Sequence, residues 1–151
     1  MLDFAWHLRG SVNLKDADAN DVVLDRLEQL LTKQGKGDRQ RGIDRLAFND
    51  PLWGNFFGPN WLAMVIYDRG QFWIEYGING RSLRYDLRSL HGMVFCLFAA
   101  LVAFFFGLAG GGLWGGLTLA AGAFVWLYGM NILLAVFRVP SAIHRAVAAR
   151  R

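Results

Sequence analysis

The longest feature of the hydrophobic pattern is a run without charge. Residues 92–137 contain no Asp, Glu, Lys or Arg. A membrane-spanning helix needs about 20 mostly apolar residues, so this run is long enough for two. Glycine favours turns over helix interiors, and five glycines lie near the middle of the run: Gly110, Gly111, Gly112, Gly115 and Gly116. The pattern predicts a two-helix transmembrane hairpin over residues 91–137, with spans at about 92–109 and 117–137.

The preceding residues, 1–90, show the shorter periods of a small α+β domain. Residues 4–14 alternate between apolar and polar side chains, which predicts a strand with one buried face. A helix is predicted to begin at Asp18 or Asn20 and to end at Gly35, with Val and Leu at helical spacing. Four further strands are predicted at 43–48, 62–67, 71–77 and 81–88. The expected fold is therefore a small, mostly antiparallel sheet of order β-α-β-β-β-β with one packed helix.

Two loops in this domain carry candidate chemistry. Residues 33–42 are polar, glycine-rich and basic, so they could hold an anionic headgroup or a phosphate. They lack the Gly-x-x-x-x-Gly-Lys-Ser/Thr order of a nucleotide-binding loop, and a solvated loop is the stronger interpretation. The second loop, 52–61, can close the core, lie in the membrane interface or contact a partner. Its aromatic side chains are Trp53, Phe56, Phe57 and Trp61.

Charge is distributed unevenly. The first 90 residues hold all 12 acidic residues and 12 of the 16 Lys and Arg, so the domain is formally neutral. The net charge of +4 comes from four arginines after the apolar run: Arg138, Arg145, Arg150 and Arg151. An excess placed there argues against nucleic acid as a partner. It predicts that residues 138–151 form a basic amphipathic juxtamembrane tail that binds anionic lipid headgroups.

The same distribution predicts the topology. Arginines flank both ends of the apolar run and are absent from its glycine-rich middle, so the positive-inside rule places both termini in the cytoplasm. We expect an integral protein of the bacterial inner membrane. The single cysteine, Cys96, lies in the first span and excludes an intrachain disulfide.

Small residues in the spans predict close contact between helices. Ala99, Ala103 and Gly107 recur every four residues in the first span, and Gly122 and Gly129 offer small positions in the second. Such stripes let helix backbones approach one another in lipid.

Aromatic and polar side chains inside the spans predict contact with another membrane protein. Trp126, Tyr128 and Asn131 lie well within the second span, where lipid tails serve polar groups poorly. Phe104 and Phe105 form a bulky block in the first span. The alternative is that these groups are satisfied inside the hairpin itself.

No catalytic or metal-binding motif accompanies these features. The three histidines, His7, His91 and His144, lie outside the spans and have no ligand partners at metal-binding spacing. We therefore expect no cofactor, no metal and no enzymatic activity. The expected function is a non-catalytic accessory, assembly or scaffold subunit whose partner is an integral membrane protein or a second copy of the chain. The alternative is a membrane-anchored sensor or regulator whose cytoplasmic domain binds a small ligand or lipid headgroup.

Overall fold

The computed structural model describes residues 6–14, 18–51, 63–78 and 80–148. Five antiparallel strands form one sheet in the order β1-β5-β4-β3-β2, which confirms the predicted α+β class. The elements in chain order are β1 (His7–Asn13), α1 (Asn20–Lys33), β2 (Arg39–Arg41), β3 (Arg45–Asn49), β4 (Arg69–Gly77), β5 (Gly80–Arg88), α2 (Leu90–Phe124), a π-helical turn (Val125–Gly129) and α3 (Met130–Ala148).

Two of the strand predictions need correction. Strand β2 lies inside the segment interpreted as a solvated loop. It was not predicted because a three-residue strand is too short to show a period. The strand predicted at 62–67 is instead a turn over the described residues 63–66, where the Tyr67 N–H donates to the Met64 carbonyl at 3.1 Å. The strand count agrees with the prediction only because this gain and this loss cancel.

Helix α1 ends where glycine permits it. Gly35 adopts φ 72°, and the Lys36 N–H donates to the Leu31 carbonyl at 2.9 Å, a glycine C-cap. The helix start has no side-chain cap, contrary to the prediction. The Asn20 amide instead donates to the Asp44 carboxylate and to the Tyr76 hydroxyl, both at 2.6 Å, and so ties the helix to the sheet.

One face of the sheet carries the core. Helix α1 covers the β3 side and α3 the β1 side. Gly70 lies on this face, and a Cβ there would collide with the Phe48 ring and the Leu87 side chain. Only glycine fits this close approach. The fully buried aliphatic side chains of the sheet and α1 are Val23, Leu24, Leu27, Leu31, Leu46, Leu83 and Leu87.

The apolar run forms one long helical segment, Leu90–Ala148, and not two separate helices joined by a loop. It is the one described helix long and apolar enough to cross a membrane, judged by its length and composition. The backbone leaves helical geometry inside α2 only at Gly111 and Gly112, and Gly112 has φ 63°. The prediction of two separate helices joined by a five-glycine turn is therefore corrected: one helical segment continues through this region with a kink at two glycines.

Contacts across the kink show that the segment is not straight. Ser89 Oγ and the Tyr128 hydroxyl lie 3.0 Å apart, although 39 residues separate them. A straight helix would place them about 58 Å apart, at 1.5 Å per residue. The helix therefore folds back at Gly111–Gly112, so that residues 90–110 (the first arm) lie beside residues 113–129 (the second arm).

Helix α3 continues from the second arm into the domain core. Ala135, Val139, Ile143 and Val147 recur every four residues and are buried against the sheet and α1. The apolar stripe of the predicted juxtamembrane tail therefore contacts protein, which corrects the expectation that it lies on a lipid leaflet. Helix α1 covers only the β3 side of the core face, and the apolar stripe of α3 covers the β1 side.

Candidate functional site: the open face of the sheet

The second face of the sheet is not covered by any helix that the structure describes. Its side chains come from the strand positions that alternate with the core positions, and they are exposed or half-buried. We call this surface the open face. Its charged residues are Arg9, Arg45, Arg69, Glu75, Arg84, Asp86 and Arg88.

The open face is basic although the domain is neutral. Five arginines against two carboxylates give it a formal excess of three positive charges. The outer side of α1, in contrast, places Asp25 and Glu28 around Arg41, whose Nη1 lies 2.6 and 3.0 Å from their oxygens. The neutral sum of the sequence therefore conceals a polarised surface.

Trp73 lies between two arginines on this face. In the sheet register it is directly opposite Arg84 of β5 on one side and Arg45 of β3 on the other. Cross-strand neighbours of this kind have Cβ atoms about 5 Å apart. The row therefore presents a half-buried aromatic side chain flanked by two guanidinium groups.

The two carboxylates of the open face are paired with basic side chains of β1 and β5. Asp86 accepts from Arg9 Nε at 2.8 Å and lies 2.5 Å from His7 Nδ1. Glu75 forms an ion pair with Arg84. These contacts neutralise most of the charge on that half of the face.

On the β3–β4 half, neither Arg45 nor Arg69 is ion-paired within the described part of the chain, although Asp38 lines the same half. Arg69 Nε donates to the Asn49 side-chain oxygen at 3.1 Å, and no carboxylate among the described residues pairs with it. Within the same described part of the chain, the Arg45 side chain makes no hydrogen bond or ion pair. Two guanidinium groups are therefore available here to an anionic ligand.

Two adjoining hollows mark this half of the face. Their volumes are about 240 and 520 Å³, and Gln40, Ala47 and Gln71 line both. Arg69 borders the smaller hollow together with Asp38, and Arg45 borders the larger one together with Arg41 and Trp73. We call the two hollows together the arginine groove.

A second polar cluster is buried where the domain meets the arms. Lys36 is 2% exposed, and its Nζ donates to Asp50 Oδ2 and to the Tyr67 carbonyl, both at 2.7 Å. Burial lowers the pKa of Lys36, and the hydrogen bond to Asp50 opposes that shift. Lys36 belongs to the segment 33–42 that was interpreted as a solvated loop, so this part of the segment is buried.

The join between β5 and α2 is fixed by Asp68. Its Oδ2 accepts from Arg88 at 2.7 and 3.0 Å, and its Oδ1 accepts from the His91 backbone N–H at 3.2 Å. The strand end and the first turn of the helix thus share one carboxylate. The contacts of Asp68 and Lys36 are those of a structural clamp, and the described residues contain no group of three metal-ligating side chains.

The predicted membrane-partner residues fall into different environments. Tyr128 is buried, stacks on Phe124 at 5.4 Å and shares a hydrogen bond with Ser89. Its hydroxyl therefore has a hydrogen-bond partner within the same chain, as the alternative interpretation expected. The Asn131 amide donates to the Leu127 carbonyl of its own helix at 2.6 Å. Trp126 and Phe105 remain exposed, at 69% and 59%.

The arms pack through glycines that the sequence presented as turn residues. A Cβ at Gly107 would collide with the backbone of Gly115 and Gly116, and one at Gly116 would lie 2.8 Å from the Phe104 ring. Gly122 has no neighbour at that range, and the nearest group to Gly129 is on its own helix. Because the helix folds back over only two residues, Gly107 faces Gly115 and Gly116, which lie just beyond the kink. Ala99 and Ala103 are half-buried.

The remaining predicted sites are placed only in part. Arg138 and Arg145 are exposed, and Arg145 Nε donates to the Ser141 carbonyl at 3.2 Å. The other residues of these sets lie outside the described residues: Trp53, Phe56, Phe57, Trp61, Arg150 and Arg151.

Comparisons with protein-family models, with curated proteins and with solved structures give no match to this chain. The arginine groove was not anticipated from the sequence. Its signal is the polar half of alternating strands, in which Arg69, Gln71 and Trp73 share one side. That signal becomes a site only when the strand order is known.

Proposed function

We propose that this protein is a non-catalytic scaffold subunit of a membrane protein complex, held in the bilayer by its folded helix. The observation that carries the proposal is how directly the domain joins the arms. Ser89 alone separates β5 from α2, and α3 runs from the second arm into the core without a break. Such joins hold the open face at a set position relative to the arms instead of on a flexible tether.

The surface of the arms supports insertion. The most apolar 18-residue window of the segment has mean hydropathy 2.5, and only 6% of it is buried. Soluble proteins rarely expose apolar patches of more than a few hundred Å². At 1.5 Å per residue the first arm is about 31 Å long and the second about 26 Å, against about 30 Å of hydrocarbon.

Exposed tryptophans fall near both ends of the arms. Trp114 follows the kink and is 78% exposed, and Trp126 lies two residues before Tyr128, which contacts Ser89 at the base. Tryptophan is enriched at the two membrane interfaces. This position explains Trp126 without a protein partner, because the kink moves it from mid-span to the base of the arms.

The orientation follows from the flanking arginines. Both ends of the segment return to the same domain, with Arg84 and Arg88 before it and Arg138 and Arg145 after it. The positive-inside rule then assigns the domain to the cytoplasm. Exposed Arg138 and Arg145 are available there to anionic headgroups.

The proposal is tested by purifying the tagged full-length chain from gently solubilised native membranes. We expect a partner protein in fixed stoichiometry. The Arg45→Gln/Arg69→Gln variant should lose this partner, and Arg138→Gln/Arg145→Gln removes equal charge as the matched control. A chain that runs alone in every mild detergent would overturn the scaffold function.

A second candidate function is a sensor or regulator that binds a small anion. The larger hollow of the arginine groove favours it, because about 520 Å³ is within the size of small-molecule sites. A raised melting temperature of the purified, partner-free chain with a small phosphorylated or carboxylated compound would support this function.

A further inference from the structure

We infer that the arginine groove binds an extended acidic segment of a partner protein, with two carboxylates four residues apart. The inference rests on the proposed scaffold function and names the chemistry of its partner. It differs from the membrane contacts of the arms, because the groove lies on the open face of the sheet.

The spacing of the two available arginines sets the spacing of the carboxylates. Arg69 and Trp73 are four positions apart on the same side of β4, and Arg45 is directly opposite Trp73. Four residues of a strand span about 13 Å. In an extended peptide the side chains at i and i+4 also lie on one side and about 13 Å apart, so they reach Arg69 and Arg45 together.

The floor between these arginines suits a peptide backbone. Ala47 and Gln71 face each other across β3 and β4, at the register position midway between Arg69 and Arg45. The short Ala47 side chain leaves depth, and Gln40 and Gln71 line the same hollows. Each glutamine amide can both donate to and accept from a main chain.

Several observations favour a protein segment over a nucleic acid. Every cation on the open face is an arginine, whose planar fork matches a carboxylate, and Trp and Arg are the residues that dominate protein interfaces. The face already binds two carboxylates of its own, through Arg9 and Arg84.

The test uses the full chain in nanodiscs of neutral lipid and a labelled twelve-residue peptide of Ser, Thr and Val with two aspartates. With aspartates at i and i+4 we expect saturable binding by fluorescence anisotropy. With aspartates at i and i+3 the side chains point to opposite sides, and we expect binding at least about tenfold weaker. The peptide with two asparagines should not bind.

Variants locate the binding. Arg45→Gln and Arg69→Gln should each weaken it about tenfold, because each removes one charge-assisted contact. Ala47→Trp should block it by filling the floor. Arg145→Gln carries the same charge change on α3 and should leave binding unchanged.

Equal affinity for both aspartate spacings, or no effect of the groove variants, would overturn the inference. Tighter binding of a single-stranded oligonucleotide, or displacement of the peptide by equimolar inorganic phosphate, would overturn it too. If the peptide fails while a partner still co-purifies, the inference fails and the scaffold function stands. If no partner co-purifies, the scaffold function itself fails.

Discussion

The two faces of the sheet show how one set of strands can serve two purposes. On the core face Leu46, Phe72 and Leu83 are 0% exposed, and two helices cover them. On the open face the alternate positions of the same strands carry arginines and Trp73, and no described helix covers them. The difference shows that stability and recognition are separated by the side-chain period of two. We therefore expect core-face substitutions to change folding and open-face substitutions to change binding.

The largest effect should come from α3. Val139→Asp would place a charge at a position with no exposure, and we expect a loss of several kcal/mol in unfolding free energy. Ser141→Asp, two residues away and exposed, is the matched control. Both are compared by chemical denaturation of the full chain in detergent. Equal stability of the two variants would mean that α3 does not cover the core face.

The next effect should come from the buried ion pair. Lys36→Met leaves Asp50 buried without a cation, which costs about 3–5 kcal/mol in such pairs. The double variant Lys36→Met/Asp50→Leu should recover much of that loss, since no charge is then left unpaired. A double variant as unstable as the single one would show that the charge pair is not what matters at this position.

The sequence predicted the elements of both faces better than their arrangement. The period of two in 81–88 and the helical stripe of α1 follow from burial and are readable from the chain alone. The edge strand β2 was missed because three residues are too few to show a period. The five glycines were predicted as the turn between two helices, but only Gly111 and Gly112 leave helical geometry. Gly115 and Gly116 contact the other arm instead, because only the folded segment places them opposite Gly107.

The arginine groove could not be predicted for a different reason. Arg45 and Trp73 are far apart in the chain and become neighbours only because β3 pairs with β4. Net charge also misled, since a sum over the domain carries no information about which face each charge occupies.

A smaller effect is expected at Tyr67. Its hydroxyl is buried with no hydrogen-bond partner among the described residues, and Tyr67→Phe should raise stability by up to about 1 kcal/mol. Burial raises the pKa of Tyr67 above its ordinary value of 10.0. The unfolding free energy is independent of this group below pH 10, and it falls as the pH rises from there through the raised pKa, because the unfolded chain loses the proton first.

Wild-type stability should therefore fall above pH 10, and Tyr67→Phe should reduce that fall. Part of the fall should remain in the Tyr67→Phe variant, because burial raises the pKa of the Tyr85 phenol as well. An alkaline slope identical in wild type and Tyr67→Phe would contradict the assignment.

The smallest effect on stability is expected on the open face. Arg45→Gln removes an exposed charge that has no partner within the described chain, so the unfolding free energy should change by less than about 0.5 kcal/mol. The same variant should weaken peptide binding. A large loss of stability would show that the two faces are not separated as proposed.

The measurement that tests the central claim most directly is a distance between the arms. Leu97→Cys and Trp126→Cys, in a chain with Cys96→Ser, carry spin labels at exposed positions of the first and second arm. With the helix folded back, adjacent helices 8–10 Å apart place the labels within about 20 Å. An unbroken straight helix would hold these residues about 44 Å apart, at 1.5 Å per residue. A pulsed electron paramagnetic resonance distance near 20 Å or below in lipid nanodiscs is the predicted result, and one near 44 Å would contradict the fold and the scaffold function built on it.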